Sequence, residues 1–578
     1  MAKPTTWRDR RTTFMNKIHA RRAALGDAIP TFVTAPEPRT IGIVGRGRQL
    51  ITGNFLFAGL FVEGPNLSIW DIARNHPEVI GEIHGCAWTD DLVAVGDEKA
   101  RTRAQTWVYD WIEQFGDGRS AGWDAGVVGR RVIRWINHGP FILRGQDQPA
   151  ADQFMRSLGQ QTQFLANRWH AAPHGVSRFE ALAGLIYAGL MLSGMARHVD
   201  AAVKAMAIEC HSQISPGGAI ATRNPEELLE ILTLLNLAVQ SLKAANRRVP
   251  RGISQAVEDI VPSLRALRHS DGSLTRFHGG GSGLEGKLDQ ALADAGIKTA
   301  PTVGLHMGFA KLTGGRTSLI VDAAPPPEGV MSAKGHASTL GIEVASGRRP
   351  LIVNSGSGAR FGTEWRRASR ATASHSTLGI DGVSSSRLNT DDDQLSNTPQ
   401  EVRYNAPLVE NGRRLELSHD GYKNSHGLTH ARILQLSTDG REITCEDLLT
   451  TLDETDKGTF DAATNASDLG FKIRLHLHPD VQPTEDGPHV FLTLKSGETW
   501  VFSHDGTAEL SIMPSVYLQN GRLRPLGTHQ VVLSGHAMSY ATRVRWSLAK
   551  AQDTPTALRD LVQAEAMDDV EYTPGDFE

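Results

Sequence analysis

The sequence predicts an α+β multidomain chain in which an amino-terminal (α/α) toroid is followed by a carboxy-terminal antiparallel β-sandwich. Three observations carry this expectation. From about Pro65 to Arg268 apolar residues recur at spacings of three and four, the period of amphipathic helices. From about Thr302 the period falls to two, that of half-buried strands. Between the two lies a Gly-rich connector, Asp271–Gly283. A chain of 578 residues is long enough for both halves, and 58 glycines fit a fold rich in turns.

Residues 1–64 read as an arm and lead-in. The segment MAKPTTWRDRRTTFMNKIHARRAALGD is basic, but no apolar run of secretory-signal length follows it. Its cations read as a solvated helix face, with anionic lipid or polymer as the other reading. The longest apolar-rich stretch, Ala183–Ala196, is too short to span a bilayer. The expectation is therefore a soluble, cytoplasmic protein.

Residues 65–300 read as the toroid with its connector. Glu98–Phe115 places Ala104, Trp107, Val108 and Trp111 on one stripe. Gly129–Leu143, Ala150–His170, Ser177–Ala196, Ala201–Ile214 and Pro225–Ala245 continue the series. Asn224 followed by Pro225 is a strong helix start, since Asn caps and Pro suits the first helical position. Short connections make successive helices antiparallel. Ala183–Met195 and Leu228–Leu242 are apolar on most faces, which fits an inner layer screened by an outer one. Gly279–Gly281, near the junction, offers a hinge because glycine resists little.

Residues 301–550 read as the sandwich. Phe471–His478 alternates apolar Phe471, Ile473, Leu475 and Leu477 with polar partners. Leu415–Leu417, Ala431–Leu436, Val490–Leu494, Val531–Leu533 and Thr542–Leu548 behave alike, with turns at Asp439-Gly440 and Ser496-Gly497. Residues 551–578 read as a polar, acidic tail that frays.

Composition excludes several functions. A net charge of −4 gives no global cationic field for nucleic acid. Cys86, Cys210 and Cys445 are far apart, so neither a disulfide framework nor a cysteine-rich zinc site is expected.

Chemistry is expected where the halves meet, because domain interfaces make large clefts. His336 (SAKGHASTLGIEV) and His375 (RATASHSTLGIDG) each precede an apolar alternating run, and Asn354 (LIVNSGSG) lies where a strand ends between them. Imidazole suits zinc, but a neutral amide is a poor third ligand. The alternative is a set of hydrogen-bonded structural groups.

GHASTLGIEVASGRRPLIVNSGSG followed by RATASHSTLGIDG resembles the heparinase II/III-like carboxy-terminal domain, and the helical half looks like its partner toroid. The resemblance implies a polysaccharide lyase that cleaves uronate-containing chains by β-elimination, with an acidic poly- or oligosaccharide as partner. It also implies a metal site at His336, Asn354 and His375, with zinc as the cofactor and no organic one. Asn354 stands where the family's metal-binding aspartate usually stands, Lys334 where a catalytic His is common, and Ser338 where Asp is common. Ser177-Arg178 replaces the usual Asn-His, and Glu227 the usual Tyr.

Elimination requires neutralisation of the sugar carboxylate, a base for the adjacent proton and an acid for the leaving oxygen. Arg178 could neutralise the carboxylate, and Lys334 could be the base if burial lowered its pKa. In HDGYKNSHGLTHAR, on an expected loop, Tyr422 is the candidate general acid, with His430 as its orienting group or the base. The alternative packs Tyr422 in the sandwich and makes His430 a strand cap. Asn137-His138 could clamp the uronate or simply end a helix. Arg223 and His278 are expected to project into the cleft, and Trp88, beside Asp90 and Asp91, could stack on a sugar. Two other functions stay open: a glycan-binding descendant without chemistry, and a glycoside hydrolase using Asp90, Asp91 or Glu227.

Overall fold

The computed structural model describes residues 7–37, 40–119, 121–466, 468–519, 522 and 524–551. The expected tail from residue 552 onward lies outside the described residues. Helices run from Trp7–Ala24 to Lys287–Ala295, and the strands of the sandwich follow from Phe309 to Lys550. Among the described residues no helix is long and apolar enough to cross a membrane.

Local chemistry sets the helix starts. Asp97, Asp124 and Asp147 each accept a hydrogen bond from a backbone N–H of the first turn that follows. Asn224 accepts from Glu226 N and Glu227 N at the head of Pro225–Ala244, satisfying donors that have no partner within the helix. Glu98–Phe115 forms as expected. The helix expected over Gly129–Leu143 divides into Ala125–Asn137 and Gly139–Leu143. Pro140 lacks an N–H, so it takes the start of the second helix and cannot continue the first. The lead-in is not a separate arm, because Trp7–Ala24 packs on Gln148–Arg168 and Asn16 accepts from buried Arg168 at 2.7 Å.

Val176–Met191 is the inner helix, buried without a break from Phe179 to Gly189. It packs on Ala125–Asn137, Gln148–Arg168, Val199–Gln213 and Pro225–Ala244. A Cβ at Gly184 would lie 2.7 Å from the Gly129 carbonyl, so glycine permits this crossing. Beside it Trp70, Trp88, Trp107, Trp111 and Trp135 pack edge to face, a favourable arrangement of ring quadrupoles. Arg131 is buried over the Trp111 ring at 3.9 Å and donates to Gln161, His84 O and Gly122 O.

Two large antiparallel sheets make the sandwich. One runs, in spatial order, Val402–Asn405, Arg413–Tyr422, Leu428–Leu436, Glu442–Thr450, Ala541–Lys550, Thr499–His504, His489–Leu494 and Val481–Asp486. In the other, Gly470–Leu477 joins the hairpin Glu509–Tyr517/Leu526–His536 to the earlier strands Arg349–Val353, Ile342–Ser346, Thr317–Asp322 and Phe309–Gly314. Apolar side chains from both inner faces form one core. The helices Lys287–Ala295 and Glu454–Ala466 were not expected.

Candidate functional site

The junction is built around Arg223 and Asp322. Arg223 precedes Pro225–Ala244 and has a left-handed φ of 51°, an uncommon conformation for a residue with a Cβ. Its guanidinium donates to Met307 O, Gly308 O, Ala324 O and Pro325 O. It also donates to Asp322 Oδ1 at 2.6 Å and covers the Phe309 ring. Every contact of this cation is with protein, so Arg223 fastens the toroid to the sandwich and leaves no donor for a saccharide.

Asp322 ends a strand whose every residue is buried. Its Oδ2 accepts from Ser338 Oγ at 2.7 Å and lies 3.3 Å from His278 Nε2. Burial pushes this carboxyl up, but Arg223 and His278 outweigh it and hold the group well below the usual range. His278 Nδ1 accepts from the His336 backbone N–H, and His336 Nδ1 lies 3.2 Å from His375 Nε2. The structure thus brings His336 and His375 together, in a chain that starts at Arg223. Both rings are buried. Burial first, and neighbouring histidines second, lower His336 well below its ordinary value and His375 to about 3.

Asn354 belongs to a neighbouring cluster. Its Oδ1 accepts from Ser376 N, and its Nδ2 donates to Glu343 Oε1 at 3.3 Å. Glu343 also holds Arg276 and Thr275, and Arg276 donates to Asn354 O. Burial raises the Glu343 carboxyl, but Arg276 and His269 bring it down to about 2. The two imidazole nitrogens are spaced as ligands of one tetrahedral zinc would be. The remaining donors are not there: the amide oxygen serves Ser376, and among the described residues no three His, Cys, Asp or Glu side chains converge as a metal-binding group. Two neutral rings in a dry interior do not fit a divalent ion.

Tyr422 lies at the end of a strand, not on a loop. It is fully buried and donates to Leu378 O at 3.2 Å, and burial pushes its phenol well above the ordinary value, away from the range of a general acid near neutrality. His430 is buried beside His419 and bonds Asp447 Oδ1 at 2.8 Å. Asp447 also accepts two bonds from Arg432 and one from Trp546 Nε1. Tyr422 and His430 therefore have no surface to offer a sugar.

Lys334 is the exception among the candidates. Its side chain is 69% exposed and its Nζ lies 2.8 Å from Glu227 Oε1, so the burial that would make it a base is absent. Glu227 Oε2 accepts from Thr222. Arg178 is tied into the turn before its helix, donating to His170 O and Ala172 O and meeting the His174 ring. Asn137 accepts from the buried Tyr187 hydroxyl at 2.9 Å. His138 ends its helix and bonds Asp90 Oδ1 at 2.7 Å. Trp88 donates to Ile83 O within the tryptophan cluster. Asn137, His138 and Trp88 are thus core groups, not a uronate clamp or a stacking platform.

Asp90 and Asp91 point apart, as adjacent helical residues must. Asp90 pairs with Arg134 at 2.8 Å, whereas Asp91 accepts from Ile43 N and is pushed up to about 6 by burial. They belong to a partly exposed lattice of ion pairs across the toroid: Arg46 with Glu82 and Asp91, Arg130 with Glu180, Lys287 with Glu230, and Lys334 with Glu227. Arg360, from the sandwich, reaches Glu82 at 3.2 Å.

The residues that organise the junction, Asp322 and Glu343, escaped the sequence reading. The available signal was a carboxylate within or ending an apolar run, in SLIVDAA and LGIEVAS. Such a group is buried only if paired.

A helical toroid joined to an antiparallel sandwich is the scaffold of a class of polysaccharide lyases. Heparinase III has this fold at a TM-score of 0.67 and 12% identity, over 93% of this chain and 89% of that one. A heparan sulfate lyase of Pedobacter heparinus matches at a TM-score of 0.56 and 16% identity, over 94% and 89%. Residues 297–547 match the family model described as "Heparinase II/III-like, C-terminal". This part of the chain is a heparinase II/III-like domain, and the resemblance read from the sequence is borne out. The chain is also 29% identical over 531 residues, 89% of each chain, to "FtsZ-localized protein C" of Caulobacter vibrioides (strain NA1000 / CB15N).

Proposed function

We propose that this chain is a non-eliminating descendant of the lyase scaffold that works as a binding protein associated with FtsZ. One observation carries the reading: the groups that an elimination would use are enclosed or neutralised. Tyr422, His336 and His375 are buried, and exposed Lys334 is matched by Glu227. A base and an acid must both reach the sugar for β-elimination, and no such pair faces solvent among these candidates. The paired lattice also argues against an acidic glycan, because a uronate would have to displace Glu180, Glu227 or Glu230 from its own cation. Likeness to the FtsZ-localized relative supplies the association with FtsZ, and the cytoplasmic location expected from the sequence goes with it.

The test has two arms. Incubation with uronate polysaccharides should give no ultraviolet absorbance from an unsaturated product. A fluorescent fusion of the full chain should follow FtsZ and should keep doing so with Tyr422→Phe. Turnover abolished by Lys334→Ala would restore the lyase reading, with Lys334 as base. Reducing ends without that absorbance, lost on Asp91→Asn, would favour the hydrolase, for which the raised Asp91 carboxyl is the specific support.

A further inference from the structure

A second polar site lies on the far side of the strand that carries Asp322. Thr317–Asp322 spans six residues, so its two ends are about 17 Å apart. At the Thr317 end a cavity of about 550 Å³ opens between the last toroid helices and the first sandwich hairpin. Arg265 and Arg268 enter from the Arg251–Ala266 helix and the residues after it, and Lys311 and Arg316 from the hairpin. His269 lies on the floor, and Asp289 is the sole carboxylate among the described lining residues.

The cations are already positioned by the protein. Arg265 donates to Ile297 O and Thr299 O. Lys311 donates to Arg268 O. Arg268 pairs with Asp289 at 2.9 Å through Nη2, while its enclosed Nε has no hydrogen-bond partner. Burial first, and the adjacent Arg268 second, lower Lys311 to about 8. The contrast with the rest of the toroid is direct, because there each cation of the lattice has its own carboxylate. Here Arg268 and the adjacent Lys311 have Asp289 as the one carboxylate among the described lining residues, and its side chain is 62% exposed. An exposed pair of this kind is worth little, so Asp289 can yield Arg268 to a stronger anion.

We propose that this cavity binds a small organic molecule carrying a phosphate or sulfate ester, with Arg268 and Lys311 on the ester oxygens and Asp289 displaced. Guanidinium forks match tetrahedral oxyanions in a bidentate way that an ammonium alone does not. The volume suits a ligand of sugar-ester size. The site is independent of the FtsZ-associated reading and uses none of its residues.

Isothermal titration of the full chain with glucose 6-phosphate, glucose 6-sulfate, glucose and glucuronate tests the proposal. At least one ester is expected to bind saturably and glucose not to bind, and the ratio of the two esters assigns the anionic group. Arg268→Gln should weaken binding roughly tenfold or more, while Asp289→Asn should tighten it, which a purely structural role would not produce. The proposal is overturned if neither ester binds up to about 10 mM, if glucuronate binds as tightly as the esters, or if both variants leave the affinity unchanged.

Discussion

Asp447 in the sandwich and Glu227 in the toroid are both carboxylates held by cations, yet their surroundings differ in kind. Asp447 is buried, and its partners Arg432, His430, Trp546 and Cys445 are buried with it. Glu227 meets a lysine that is mostly in water. In a dry interior a charge must be matched or the fold fails, whereas at a wet surface the pair gains little beyond what water already supplies.

That contrast can be broken most sharply at Asp447. Asp447→Ala leaves Arg432 as an uncompensated buried cation and should cost about 3–5 kcal/mol in denaturant unfolding monitored by circular dichroism. Acid should act nearly as strongly. His84 is lowered to about 3, His476 to about 4 and His419 well below its ordinary value, in each case chiefly by burial. The unfolded chain takes up protons near 6.5 where the native rings do not, so the stability they hold above that pH is lost as pH falls through it. Asp91, raised to about 6, opposes this, since the folded state protonates it first. The net loss from pH 7 to pH 5 should be on the order of 3 kcal/mol, read as a falling melting temperature.

Asn354→Asp sharpens the comparison differently. A second carboxylate beside Glu343 should destabilise the metal-free protein, while providing the anionic donor that two imidazoles lack. Zinc at a hundredfold excess over its Kd should then stabilise the variant by about 2.7 kcal/mol, read as a raised melting temperature, and leave the parent protein unmoved. Lys334→Ala should have the smallest effect, below about 0.5 kcal/mol in the same unfolding assay. A larger loss would mean that the surface pair couples to the junction.

The sequence revealed the fold better than the site, for a physical reason. Helix starts depend on a capping side chain and its neighbours, so Asn224-Pro225 located its helix without tertiary information. Strand alternation placed Phe471–His478 within one residue of the observed Gly470–Leu477. Exposure is decided at longer range. In Arg413–Tyr422 the inward residues are Leu415, Leu417 and His419, and strict alternation would turn Tyr422 outward. A register shift between His419 and Tyr422 resets the parity and sends the phenol into the core. Likewise, the structure sets His336 beside His375, but no local pattern reported that Asp322, Glu343 and Arg276 would close over the same region.

The clamp formed by Arg223 means that the family boundary and the energetic boundary of this chain are different places. A fragment beginning at residue 297 would retain Asp322 and four inward-facing carbonyls while losing the guanidinium that satisfies all five. A fragment ending there would keep the guanidinium with nothing to grip. Nor is Gly279–Gly281 a free pivot, since Gly281 N is held by Glu226 and His278 beside it is packed against Asp322. Separating the halves would therefore strand buried polar groups on both sides of the cut.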